Sequence, residues 1–144
     1  MITGEVKVKV TGWQTLGCES DTVTVEEKGI CRQVAEGYEI QYIEKPADDV
    51  EVENRIIFLA DKVVVSKRGM IESEMFFIPE QKTQATYKTP YGVIDMTVGC
   101  ESISVSEEKD ENMIIIAYSM YSGEQLVSYC KTLIEITEWN EESV

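Results

Sequence analysis

Histidine is absent from the 144 residues. Its absence removes the side chain that titrates near neutral pH, the commonest zinc ligand, and every Ser-His or Cys-His nucleophile pair. Carboxylate, tyrosine and lysine chemistry remain open. Cysteine is sparse: Cys18, Cys31, Cys100 and Cys130 lie far apart in the chain. No Cys-x-x-Cys spacing exists, so neither a dithiol redox pair nor a zinc knuckle is expected. The four read as reduced thiols acting as small apolar residues, and neither a metal nor a cofactor is expected. Positive charge is also scarce, with 13 basic residues against 27 acidic ones and a net charge of −14. Duplex nucleic acid and anionic membrane surfaces need clustered Lys and Arg, so both are excluded as partners. The acidity itself keeps a protein soluble. No apolar run approaches the roughly 18 residues that span a bilayer. Met1 to Glu5 lacks the basic and apolar regions of a secretion signal, and no Asn-x-Ser/Thr sequon occurs. These absences together lead us to expect a protein of the reducing cytoplasm.

What is present is alternation. Glu5-Val6-Lys7-Val8-Lys9-Val10-Thr11 puts three valines on one face and two lysines on the other, the mark of a strand with one buried side. The pattern returns at Thr22 to Glu26, at Gly37 to Tyr42, where Tyr38, Ile40 and Tyr42 share a face, and at Val50 to Phe58. It recurs from Lys62 to Lys67, Met70 to Ile78, Thr83 to Lys88, Val93 to Ser106, Met113 to Tyr121 and Gln125 to Thr137. Turn residues punctuate these runs at Glu36-Gly37, Arg68-Gly69, Pro79-Glu80, Thr89-Pro90-Tyr91-Gly92 and Ser122-Gly123. The charged run from Glu107 to Asn112 reads as a solvated hairpin loop. Short strands at such intervals predict an all-β, antiparallel sandwich or barrel. With a hydrophobic fraction of 43% and no linker or repeat, residues 1–144 form one domain, in which 137–144 is expected to be a frayed acidic tail.

The most specific stretch is Tyr87-Lys88-Thr89-Pro90-Tyr91-Gly92. Pro90 fixes its own φ and holds Thr89 extended, and Pro at the second and Gly at the fourth position suit a type I turn. With Arg68-Gly69 upstream, Tyr118 and the Ser122-Gly123-Glu124 hairpin downstream, and the ending Leu133-Ile134-Glu135-Ile136, this block resembles the YwiB-like family of small bacterial proteins of unknown function. The start, Val6 to Gly12, and Gly37 to Tyr42 agree with it too. Cys31-Arg32-Gln33 departs from it, being poorer in tyrosine. The resemblance spans nearly the whole chain. It implies a calycin-type, lipocalin-like, up-and-down barrel of about eight strands, which makes the fold class an antiparallel barrel of about eight to ten strands around a central cavity. It implies no reaction, so no catalytic residue is assigned.

In such a barrel Arg68, Tyr87, Tyr91, Tyr118 and Tyr42 are the candidate ligand-binding residues. Tyrosine rings offer apolar area with a hydroxyl that seeks a partner, and an inward arginine would need a carboxylate from a ligand or a neighbour. An eight-stranded barrel is either filled by side chains or wide enough for one small ligand, and both readings stay open. Glu72 and Glu74 read as a solvated outer face. Trp13 and Trp139, in the first and last strand regions, are expected to approach each other at the closing seam. Apolar character on both faces from Met113 to Met120 suggests an outer face, around Ile114 and Ile116, that something covers. The sequence therefore favours a non-enzymatic barrel that binds a small anionic or partly apolar molecule. An interaction or scaffold protein, possible as a homodimer, is the alternative, and a histidine-free enzyme using Tyr, Arg and Glu ranks last.

Overall fold

A computed structural model describes residues 1–140. Ten strands follow one another: β1 (Gly4–Leu16), β2 (Glu19–Val34), β3 (Gly37–Ala47), β4 (Val50–Leu59), β5 (Val63–Arg68), β6 (Glu72–Phe77), β7 (Lys82–Thr89), β8 (Gly92–Glu107), β9 (Glu111–Ser122) and β10 (Gln125–Glu138). Each pairs antiparallel with its neighbour in sequence, and β1 pairs with β10 to close a calycin-like, ten-stranded barrel. The strand count and closure agree with the alternation in the sequence. The ladder carries β10 through Thr137 and Glu138, opposite Lys7 and Val6, and Trp139 N donates to Glu5 O at 3.2 Å. Of the tail expected to fray, 141–144 lies outside the described residues.

Alternation explains the core. Val6, Val8, Ile40, Ile56, Val98, Ile114, Ile116, Ile134 and Ile136 are almost wholly buried in one cluster. Ile114 and Ile116 thus face inward, and it is Met113, Ile115 and Ala117 that form the outward face of β9. These three are half-buried opposite Ser102, Ser104 and Ser106 of β8 and Lys131, Leu133 and Glu135 of β10.

The two ends of the barrel differ. At one, Met1 and Ile2 pack against the core, and Ile2 N donates to the buried Asn112 Oδ1 at 2.7 Å. At the other, five hairpins form a rim, and a Cβ built on Gly12 would meet nothing within 4 Å. Antiparallel pairing also corrects the tryptophan expectation. Trp13 sits opposite Lys131, whose Nζ lies 5.6 Å from its ring centroid, whereas Trp139 neighbours Glu5 and lies under Lys28. The two rings share the seam but stand about eight residues apart along β1, roughly 26 Å.

The wall is not uniform. The β2–β3 ladder ends at Gly29↔Tyr42, although β2 continues along β1 as far as Glu19. The β6–β7 ladder has only three registered pairs, Glu72↔Lys88 to Glu74↔Thr86. The first of these irregularities opens a depression on the molecule.

Candidate functional site

Where β2 leaves β3, the chains first pinch. A Cβ on Gly29 would lie 2.7 Å from Gln41 O and 3.0 Å from Val8 Cγ2, closer than a side chain tolerates, so glycine is what permits the final pair. Beyond it β3 ceases to offer a regular edge, because Pro46 has no N–H and the β3–β4 register shifts between Glu44 and Ala47. The strands part, leaving a solvent-open cleft of about 930 Å³. Lys28, Gly29 and Ile30 form one side, Gln41, Tyr42 and Ile43 the other, and β4 to β7 continue its wall.

Charge in the cleft runs against the rest of the chain. Five cations, Lys28, Arg55, Lys67, Arg68 and Lys88, line it against four carboxylates, Glu5, Glu53, Glu72 and Glu74, in a protein with twice as many acids as bases. Three of the cations are engaged. Lys28 pairs with Glu5 at 3.2 Å, Lys67 with Glu44 at 3.3 Å, and Arg55 with Glu39. Arg68 and Lys88 form no ion pair among the described residues. Both are exposed.

Beside the cleft lies the most buried charge of the molecule. Glu39 is 1% exposed although it occupies the outward register of β3, because cross-strand neighbours fold over it. Arg32 Nε donates to Oε1 at 2.8 Å, Gln41 Nε2 to the same oxygen at 2.8 Å, and Arg55 Nε to Oε2 at 2.6 Å. Burial alone would raise this carboxyl. The hydrogen bonds and charges of Arg32 and Arg55 outweigh it and hold Glu39 below its ordinary value. Asn54, on the same stretch of wall, donates from Nδ2 to Val52 O at 3.3 Å. Its Oδ1 is buried without a partner among the described residues, a local cost of about 1–3 kcal/mol.

The five residues singled out from the sequence do not converge. Tyr42 and Arg68 share the cleft. Tyr118 stacks on Phe77 with ring centroids 4.7 Å apart and borders a smaller depression of about 270 Å³ at the open rim, with Gly12, Gln14 and Val23. Tyr87 packs against the core, its hydroxyl donating to Met75 Sδ at 3.4 Å. Tyr91 is fully exposed at the tip of the β7–β8 hairpin. There Tyr91 N donates to Thr89 Oγ1 at 3.2 Å, and that hydroxyl donates to Gly92 O at 2.9 Å. The Tyr87-to-Gly92 block is therefore a corner.

Burial pushes the Tyr42 hydroxyl well above the usual 10, helped by the Glu44 and Glu27 charges, and it raises Tyr118 likewise, with Cys130 and Tyr87 nearby. A group whose folded value is raised stabilises the fold fully below its unfolded value. That contribution is lost as pH climbs through the folded one. Stability should therefore fall from about pH 10 upward, and Tyr42→Phe should flatten this limb by up to about 1.4 kcal/mol per pH unit while leaving neutral stability within about 1 kcal/mol. Urea unfolding between pH 9 and about pH 11 measures both; an unchanged alkaline slope would show that Tyr42 already ionises in the fold.

Comparison with known proteins adds the fold's relatives. The sequence profile described as "Domain of unknown function (DUF1934)" matches residues 8–134. The crystal structure of the ywiB protein from Bacillus subtilis superimposes with a TM-score of 0.83 over 95% of this chain and 93% of that one, at 18% identity. No curated protein matches. The structural likeness is one of fold.

Proposed function

The chain belongs to the DUF1934 family, whose description assigns no activity, and from the site we propose that it is a non-enzymatic barrel binding a small anionic, partly apolar molecule in the cleft between β2 and β3. One observation carries this reading: Arg68 and Lys88 stand on the wall of a cleft of about 930 Å³ without a counter-ion among the described residues, in a chain of net charge −14. Arg68 and Lys88 stand opposite Glu53 and Glu72 in their ladders without an ion pair among the described residues, which leaves both heads for a ligand, and Arg suits a carboxylate or phosphate bidentately. Ile30 and Ile43, both more than 40% exposed, offer apolar contact at the entrance. Three buried thiols, Cys31, Cys100 and Cys130, suit the reducing cytoplasm in which we place the protein.

Anilinonaphthalene sulfonate, an anionic aromatic dye, provides a probe. The Arg68→Ala/Lys88→Ala double variant should bind it roughly tenfold more weakly, since two partly screened charge contacts contribute about 1.4 kcal/mol together. Wild-type affinity should fall with added salt. Equal dye affinity in the double variant would remove the cleft as the anion seat. Native mass spectrometry of the purified protein reads out any retained ligand directly.

A further inference from the structure

The gap that makes the cleft also leaves an edge. Among the described residues, β2 from Glu19 to Lys28 is hydrogen-bonded to β1 on one side only. Ten residues extend for roughly 33 Å, and about half of their backbone N–H and C=O groups point away from β1. Edges of this kind are normally blunted by proline, a bulge, a short length or charged side chains, and the charges of the β2 edge, Asp21 and Glu27 on its inward face among them, repel acidic strands and select basic ones. The β3 edge across the gap has Pro46 and the register shift at Glu44/Ala47. The β2 edge has neither. Its sequence, Glu-Ser-Asp-Thr-Val-Thr-Val-Glu-Glu-Lys, contains no Pro or Gly, and its register with β1 runs unbroken from Gly4↔Cys31 to Leu16↔Glu19.

We propose that this β2 edge accepts an added antiparallel strand from a partner protein, an extended segment with two apolar residues flanked by Lys or Arg on one face. The specificity follows from alternation. Asp21, Val23, Val25 and Glu27 share the face of β2 that turns toward the barrel interior, as their register opposite Gln14, Gly12, Val10 and Val8 requires. Val23 is 59% exposed there. The complementary strand face reads basic, apolar, apolar, basic. The other face is already neutralised, since Glu26 pairs with Lys7 and Lys28 with Glu5. Charge also argues against a second copy as occupant: two β2 edges paired antiparallel about Thr24 would set Asp21 against Glu27, and paired about Val23 would set Glu19 against Glu27. Like charges opposite one another destabilise such a ladder. Strand addition draws affinity from the backbone and specificity from alternate side chains. This edge borders the anion cleft and shares Lys28 with it, but it includes neither Arg68 nor Lys88, so dye binding in the Arg68/Lys88 variant and peptide binding in the Asp21/Glu27 variant read the two proposals separately.

The test uses the peptide acetyl-Arg-Thr-Val-Thr-Val-Thr-Arg-amide and the whole protein labelled for amide NMR. Shift changes should concentrate on residues 19–28, and Asp21→Lys/Glu27→Lys, at one exposed and one half-buried position, should weaken binding at least tenfold while leaving the spectrum of the remaining strands in place. A peptide of the same sequence N-methylated at alternate residues should lose binding. Equal binding of the methylated peptide would overturn strand addition in favour of plain charge attraction. Shifts confined to other strands would overturn the location. A protein dimer in sedimentation that Asp21→Lys/Glu27→Lys alters would make the occupant a second copy and overturn the proposed partner.

Discussion

Gly37→Ala should unfold the protein or lower its Tm by roughly 12–16 °C. Gly37 opens β3 and is paired on both sides, with Val34 of β2 and Leu59 of β4. A Cβ there would overlap the Phe58 carbonyl oxygen outright and lie 2.9 Å from its carbonyl carbon. The obstacle is backbone held in a ladder. It has no rotamer to escape into, so the strand itself must shift. Mutations that force such a shift sit in the tail of about 4 kcal/mol and above, and for a domain of this size each 1 kcal/mol moves Tm by about 3–4 °C. Calorimetry measures it. Gly12→Ala is the internal control, because its Cβ would enter open space on a strand where alanine is tolerated, and its Tm should change by no more than about 3 °C. Equal behaviour of the two variants would mean that the β2–β3–β4 junction relaxes freely.

Glu39→Ala is the second large effect, at about 2 kcal/mol. Removing one partner from a buried ionic network usually costs about 3–5 kcal/mol. Here the two arginine side chains are 61% and 50% exposed and can turn to water, which reduces the figure. The pH profile follows from sign. The folded carboxyl is held below its ordinary 4.5, so its contribution is present above that value. It is lost as pH falls through the lower, folded one. Wild type should therefore lose stability below about pH 4.5, and Glu39→Ala should lose less over the same interval. Chemical denaturation at pH 7 and at about pH 3.5 separates the cases. A parallel loss in both proteins would assign the acid limb to other carboxylates. Arg32→Lys should recover little, because a lysine lacks the planar fork that reaches Oε1 from two nitrogens.

The fold was legible where burial and alternation coincide. Val6-Lys7-Val8-Lys9-Val10 announces its inner face, and Pro90-Tyr91-Gly92 announces a corner, whereas Met113 to Met120 is apolar on both faces, so that Ile114 and Ile116, read as outward, turn out to be core. The end of β1 and the middle of β2 were not legible. Trp13-Gln14-Thr15 and Glu26-Glu27-Lys28 have no alternation, and what holds them extended is the ladder between them. The site was harder still. Tyr42 and Arg68 could be named as types, but their place in one cleft depends on where β2 and β3 separate. Lys88 lies in the Tyr87-to-Gly92 block, and nothing in that block marks it as a cleft residue. The Arg32–Glu39–Arg55 cluster depends on register across three strands, and no short window of sequence contains it. Tyr91 misled because an aromatic beside proline marks turns as readily as pockets.

The closing ladder sets a schedule for the nascent chain. Every other ladder joins strands adjacent in sequence, so each hairpin can pair soon after its second strand leaves the ribosome. The β1–β10 ladder joins Val6 to Glu138, and its loop-closure entropy is the largest in the molecule. Until the last strand is made, β1 has only β2 beside it. The unfinished barrel is an open sheet with two edges, one at each end of the chain, which makes late synthesis the interval of greatest exposure to intermolecular pairing.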